Sequence, residues 1–232
     1  MSASKVLLVL GAGGNVGASV AALFSQHGYK VALVARRQRD IASDDGYMHI
    51  QADLAQEEAV ESAFDKVSAS FGPPSVVVYN AATATIPPAD NPLGLSVASF
   101  HQDMAVNTAG ALVAARRAVQ GFEQLPSTSA KTFLYTGNFL NKHVMPLLVS
   151  AGMGKSASAH LMAVASQVYG PKGYHFYYAD ERKTDGSAAF RDVSGPNHAL
   201  HYFKLAETKE QQPWLQTFVG GQGYTDFSAV DN

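Results

Sequence analysis

Cysteine is absent from these 232 residues. That excludes disulfides, cysteine-ligated zinc and a cysteine nucleophile, and no metal site is expected. Charge is sparse. Asp, Glu, Lys and Arg make up 16% of the chain, and the formal net charge is −2 with no block of like charges. A nucleic-acid groove or an anionic membrane surface would need a basic cluster. The densest stretch, Arg36-Arg37-Gln38-Arg39, is too short for that, so neither nucleic acid nor membrane is expected as a partner. No apolar run approaches the ~18–20 residues of a membrane span. The first apolar run, Val6–Leu10, ends in glycines and reads as a strand rather than a signal peptide. The expectation is a soluble, cytoplasmic protein. Its hydrophobic content of 47% is enough to bury one core, and residues 1–232 are read as a single domain.

What is present is an alternation. Val6–Leu10 is a short continuous apolar run, as in a strand covered on both faces. Val16, Val20, Leu23, Phe24 and His27 then recur at helical spacing up to Gly28, and Lys30–Ala35 is the next strand. A short strand ending at Asp53, a helix through Val60, Phe64, Val67 and Phe71, and a strand over 75–79 follow. Beyond them come helices over about 96–120 and 146–169, with strands at 131–136 and 174–179. Such alternation predicts an α/β fold, a doubly wound, mostly parallel sheet with helices on both faces. Residues 181–210 are polar at first and carry Gly186, Gly195 and Pro196. They are expected to form a variable lid, with a helix in "HALHYFKLAE" and a last strand in "WLQTFVG" after it.

The first turn carries chemistry. "GAGGNVG" (Gly11, Gly13, Gly14, Asn15, Val16 and Gly17 among its residues) follows the first strand and opens the first helix. Glycines there let backbone approach a pyrophosphate, and the helix N-terminus meets its charge. The second strand ends in Arg36 and Arg37. An acidic residue at that tip would accept from the ribose 2′-hydroxyl of NAD, whereas arginine favours the 2′-phosphate of NADP. NADP is therefore expected and NAD less so.

From Lys5 to Ala179 the motifs, in this order, resemble the short-chain dehydrogenase/reductase superfamily. In "GAGGNVG", Gly11 and Gly17 match its glycine motif while Asn15 replaces the middle glycine. "ADL" (52–54) resembles the stretch whose aspartate, here Asp53 beside Leu54, bonds adenine. "YNAAT" (79–83) is similar to the motif beside the cofactor, through Asn80 and Ala81. "MAVNTAG" (104–110) resembles the helix carrying the family's structural and catalytic asparagine, here Asn107. Asn107 also falls on one helical stripe with Phe100, Met104 and Ala111, where a buried amide needs hydrogen-bond partners. The resemblance implies a Rossmann-type, seven-stranded sheet and a homodimer or homotetramer built on the two long helices.

The resemblance also implies Tyr-x-x-x-Lys on the helix over 146–169. The tyrosine gives a proton to the carbonyl oxygen. The lysine holds the nicotinamide ribose and lowers the tyrosine pKa. Lys155 matches and is the only charged residue between His143 and Pro171, but four residues before it stands Ala151. The active-site serine position falls on Gly137, between Thr136 and Asn138, and Asp180-Glu181 replaces a Pro-Gly turn. Asn138 can hydrogen-bond a carbonyl, and His143 has the right acid–base chemistry near neutral pH. The expected activity is reduction of a small carbonyl or imine by NADPH with a non-standard proton donor. An NADP-binding pseudoenzyme and a non-redox cyclase or isomerase are the alternatives.

Overall fold

The computed structural model describes residues 5–37, 41–42 and 46–229. In chain order the strands are β1 (Val6–Leu10), β2 (Lys30–Ala35), β3 (Ile41–Ala42), β4 (Met48–Gln51), β5 (Val76–Tyr79), β6 (Thr132–Thr136), β7 (His175–Arg182), β8 (Leu215–Val219) and β9 (Gly223–Tyr224). The helices are α1 (Val16–Gln26), α2 (Glu57–Phe71), α3 (Val97–Met104), α4 (Gly110–Gln124), α5 (Val149–Tyr169) and α6 (Gly195–Glu207). They build one sheet of order β3-β4-β2-β1-β5-β6-β7-β8-β9. Seven of its strands are parallel neighbours. The expected count of seven is thus exceeded by two. The additions, β3 and β9, are antiparallel two-residue edges, too short to leave a periodic pattern.

The buried runs are buried because both faces are covered. Successive β1 side chains enter different cores. Leu8 and Leu10 join Val77, Tyr79, Phe133 and Tyr135 under α2, α4 and α5. Leu7 and Val9 join Val76, Val78, Leu134 and Tyr177 under α1 and α6. The pleat's two-residue period produces this division, and each fully buried large apolar side chain stabilises by about 1.5–3 kcal/mol. Tyr177 and Tyr178 are both fully buried, one in each core. The two rings leave β7 on opposite faces, and both faces are covered.

Two departures from the sequence reading matter for the site. The helix expected over about 96–120 is α3 and α4 joined by a π turn at Ala105–Ala109. The segment 181–210 is mostly not a loop. β7 continues through Asp180, Glu181 and Arg182, and α6 occupies Gly195–Glu207 with Ser194 capping it (Asn197 N–H to Ser194 Oγ, 3.3 Å). About 183–194 and the three residues 208–210 remain outside α-helix and strand. The apolar positions Ala199, Tyr202, Leu205 and Ala206 pin α6 into the second core. Among the described residues no helix is long and apolar enough to cross a membrane.

Candidate active site

Two clefts lie at the C-terminal ends of the parallel strands, and they meet at Asn80 and Ala82, which line both. The first is walled by Gly11, Gly13, Arg36, Asp53, Leu54 and Ala81, among others. Gly11 has φ +93°, and a β-carbon on it would fall within 2.9 Å of Ala81 N, Cα and Cβ. The backbone of the turn therefore runs flush against the end of β5. Asn80 Nδ2 donates to Gly11 O at 2.8 Å and fixes that approach. Space is open around Gly13 and Gly14. Asp53 caps the start of the chain toward α2 (Ala55 N–H to Asp53 Oδ1, 3.1 Å) yet stays exposed to the cleft. Arg36 also lines it, whereas Arg37 is exposed outside the lining. A glycine cradle, open space at a helix N-terminus and a cation at the tip of β2 fit a dinucleotide.

Asn15 does something a glycine cannot. Its Nδ2 donates to Val193 O and its Oδ1 accepts from Gly195 N–H, both at 2.8 Å. The glycine turn is thereby clasped to the start of α6. A β-carbon at Gly195 would lie within 2.6 Å of Ser19 Oγ, Asn15 O and Asn15 Oδ1, so α6 abuts α1 directly. Val16 and Gly17 are buried beneath this contact, and Val16 reaches the second cleft.

The second cleft holds Lys155, which is only 6% exposed. Its ammonium donates to Thr136 O at 2.7 Å and sits 4.6 Å above the centroid of the Tyr135 ring. A carbonyl and an aromatic face thus offset part of the cost of burying this charge. Tyr135 is the middle ring of a ladder across β5, β6 and β7. It stacks on Tyr79 (5.7 Å) and on Tyr178 (5.6 Å). Every hydroxyl of the ladder is engaged: Tyr79 with Val106 O, Tyr135 with Asn107 O (3.0 Å) and Tyr178 with Asn138 O (2.7 Å). Burial raises the Tyr79 and Tyr178 pKa values well above that of an ordinary phenol, and the same is true of Tyr202. These phenols are consequently weak proton donors.

Asn107 lies on the π turn. Its Oδ1 accepts from Thr83 N–H (2.9 Å), its Nδ2 donates to Thr83 O (2.8 Å), and its carbonyl also takes Ser158 Oγ (2.8 Å). Its side chain ties the π turn to the loop after β5, and its carbonyl ties the turn to α5. Ser150 donates to Asp103 Oδ2 at 2.6 Å. Asn138 lines the cleft, with its Oδ1 accepting from Leu140 N–H. His143 is not brought to the lining; it stacks on Phe139 at 5.1 Å, and Phe139 forms the wall.

The sequence reading missed the polar floor. Asp180 pairs with Arg182 at 2.5 Å, both nearly fully buried. The Glu181 carboxylate accepts from Ser194 N–H (2.7 Å) and Asn197 Nδ2 (2.8 Å), and His198 Nδ1 lies 3.3 Å from it. Burial pushes the Glu181 pKa up, but the bonds from His198, Asn197 and Ser194 outweigh it, so its pKa lies below the ordinary carboxylate value. The charges of "ADER" on an otherwise apolar strand were the visible signal. Asp180 and Arg182 partner each other, and the partners of Glu181 lie 13 to 17 residues on, in α6 and the turn before it.

A family model described as enoyl-(acyl carrier protein) reductase matches residues 11–177. Short chain dehydrogenase/reductase dmxR12 of Cryptosporiopsis sp. (strain 8999) is 41% identical over 237 residues, which cover 97% of this chain and 96% of that one. A solved short-chain dehydrogenase/reductase from Serratia marcescens BCRC 10948 superposes with a TM-score of 0.77 at 20% identity, over 94% of this chain and 96% of the other. BdcA in complex with NADPH gives 0.74 at 19%, over 97% and 96%. With a glycine cradle leading to a buried lysine, and with that extent of likeness, the chain belongs to the short-chain dehydrogenase/reductase family of oxidoreductases, built on its nicotinamide-dinucleotide-binding fold.

Proposed function

We propose that the protein is an NADP(H)-dependent oxidoreductase that reduces a small carbonyl or imine, with a proton donor other than a tyrosine four residues before Lys155. The observation that carries this reading is the junction of the two clefts at Asn80 and Ala82, with Arg36 at one end and Lys155 at the other. When bound there, NADPH would supply hydride. Gly11 and Gly13 would bring backbone to the pyrophosphate, Asp53 would meet the adenine, and Arg36 would meet the 2′-phosphate. Lys155, whose ammonium donates to Thr136 O and lines the second cleft, would hold the nicotinamide ribose. No tyrosine or serine is among the described residues lining the second cleft, which holds Lys155, Asp180, Glu181, Arg191 and His198 as its ionisable groups.

The same reading makes the protein cytoplasmic, without nucleic-acid or membrane partners. It also makes it a homodimer or homotetramer, since Leu112 on α4 and Met153, Val164 and Val168 on α5 are large apolar side chains left exposed. Fluorescence titration with NADPH and NADH, followed by an NADPH-oxidation screen over aldehydes, ketones and imines, tests the proposal. Tight NADPH binding with turnover of one of these classes is expected. If neither dinucleotide binds, the reading fails.

A further inference from the structure

We propose that His198, backed by Glu181, is the proton donor of the second cleft; this rests on the redox reading above. The Nδ1 atom of His198 faces two acceptors, Ser194 O at 2.9 Å and Glu181 Oε2 at 3.3 Å. Nδ1 must therefore carry hydrogen, whatever the charge of the ring. Nε2 makes no hydrogen bond among the described residues, and it is not one of the sealed side-chain atoms that lack a partner. The ring as a whole is 1% exposed and lines the cleft. Nε2 is thus the edge that opens on it. Tyr202 and Phe218 hold the ring edge-on at 5.5 and 5.0 Å.

Position relative to Lys155 follows from Thr136. Its carbonyl takes the Lys155 ammonium, and its Oγ1 takes the hydroxyl of Tyr202, one turn after His198 on α6. Thr136, Lys155 and His198 all line this one cleft. Elimination points the same way. The Tyr135, Tyr178, Tyr202 and Ser150 hydroxyls are committed to acceptors. Asp180 is paired with Arg182, and Glu181 is filled by three donors. Arg191 does not titrate. Histidine is the side chain suited to proton transfer near neutrality.

In the step, the imidazolium Nε2–H gives its proton to the substrate oxygen or nitrogen as that atom takes the electron pair of its π bond. The hydride that completes the carbon is the cofactor's. The neutral imidazole regains a proton from water, while Nδ1–H stays turned toward Ser194 O and the Glu181 carboxylate. The other charged groups around the ring are Lys155, Asp180 with Arg182, and Arg191 in the cleft; His201, one turn along α6, is titratable but its burial favours the neutral ring.

The test has two arms. Imidazole ¹⁵N–¹H spectra of the protein without cofactor should show His198 as the Nδ1–H tautomer when neutral. In Glu181→Gln its protonation should shift to lower pH. An Nε2–H tautomer, or a titration indifferent to Glu181→Gln, would overturn the proposal. The second arm follows NADPH oxidation with phenanthrenequinone as the probe. His198→Gln should bind NADPH as wild type does but lose turnover by about 10²-fold or more, and the wild-type rate should fall as pH rises through the His198 titration seen by NMR. Unchanged turnover, or a wild type that binds NADPH and leaves the quinone untouched, would overturn the acid role. Absence of NADPH binding would instead strike the redox reading and leave the tautomer result standing.

Discussion

A side chain at position 137 should be rejected for a steric reason that can be measured apart from activity. A β-carbon at Gly137 would fall within 2.6 Å of Cδ1, Cε1 and Cζ of Tyr178. That ring cannot simply rotate away. It is fully buried, stacked on Tyr135 at 5.6 Å, and its hydroxyl both donates to Asn138 O (2.7 Å) and accepts from Asn138 N–H (3.1 Å). Overpacking a tight core costs about 1–3 kcal/mol, and losing the two hydrogen bonds adds about 0.5–1.5 kcal/mol each. Gly137→Ala should therefore destabilise by about 2–6 kcal/mol, lowering Tm by roughly 5–20 °C at the ~2–4 °C per kcal/mol of a chain this size. Gly152→Ala is the control. It lies within α5, its nearest added contact is Leu140 O at 3.9 Å, and it should gain about 0.5–1 kcal/mol from helix propensity. Urea and thermal melts read both. A Gly137→Ala protein within about 0.5 kcal/mol of wild type, the range of an innocuous surface change, would refute the packing argument.

Other expectations concern the cofactor, the buried charges and pH. Arg36→Ala should weaken NADPH about 10- to 100-fold, the worth of a lost charge-assisted hydrogen bond, while leaving NADH within a few-fold; equal losses for both would remove the 2′-phosphate assignment. Arg182→Met leaves Asp180 buried without its cation and should cost about 3–5 kcal/mol. Adding Asp180→Asn should recover much of that in a chemical melt, and no recovery would mean that the pair is not the coupled unit. Burial pushes the His201 pKa down to about 4 despite its bond to Gln216. The unfolded chain takes up that proton near pH 6.5, so stability should be full above pH 6.5 and fall by about 3 kcal/mol as pH drops toward 4. His201→Phe should flatten this slope; an unaltered pH profile would assign it elsewhere. Ala151→Tyr should raise carbonyl reduction only if a phenol there reaches the substrate, and the pH dependence of any gain identifies the new acid.

What the chain disclosed in one dimension was what depends on neighbours in sequence. The Gly11–Gly17 turn, the apolar strands and Lys155 each act through backbone geometry or spacing within a few residues, and the structure puts them at one edge of the sheet. Asp180, Glu181 and Arg182 read as a loop because three charges on a covered strand are costly unless paired. The pairing is supplied within β7 for Asp180 and Arg182 and by Ser194, Asn197 and His198 for Glu181. A pattern of residue types records a charge but not its distant partner, so the floor of the cleft was mistaken for its lid. The π turn escaped for a related reason. It leaves the helical stripe through Asn107 almost intact while turning the Asn107 carbonyl toward Tyr135 and Ser158. His198 was the least legible residue. Its place in "NHALHY" marks an ordinary helix, and only the fold of α6 back onto Asn15 brings its ring into the cleft that Thr136 and Lys155 also line. The proposed acid of this cleft therefore lies beyond Ala179, where the motifs that carry the sequence resemblance end.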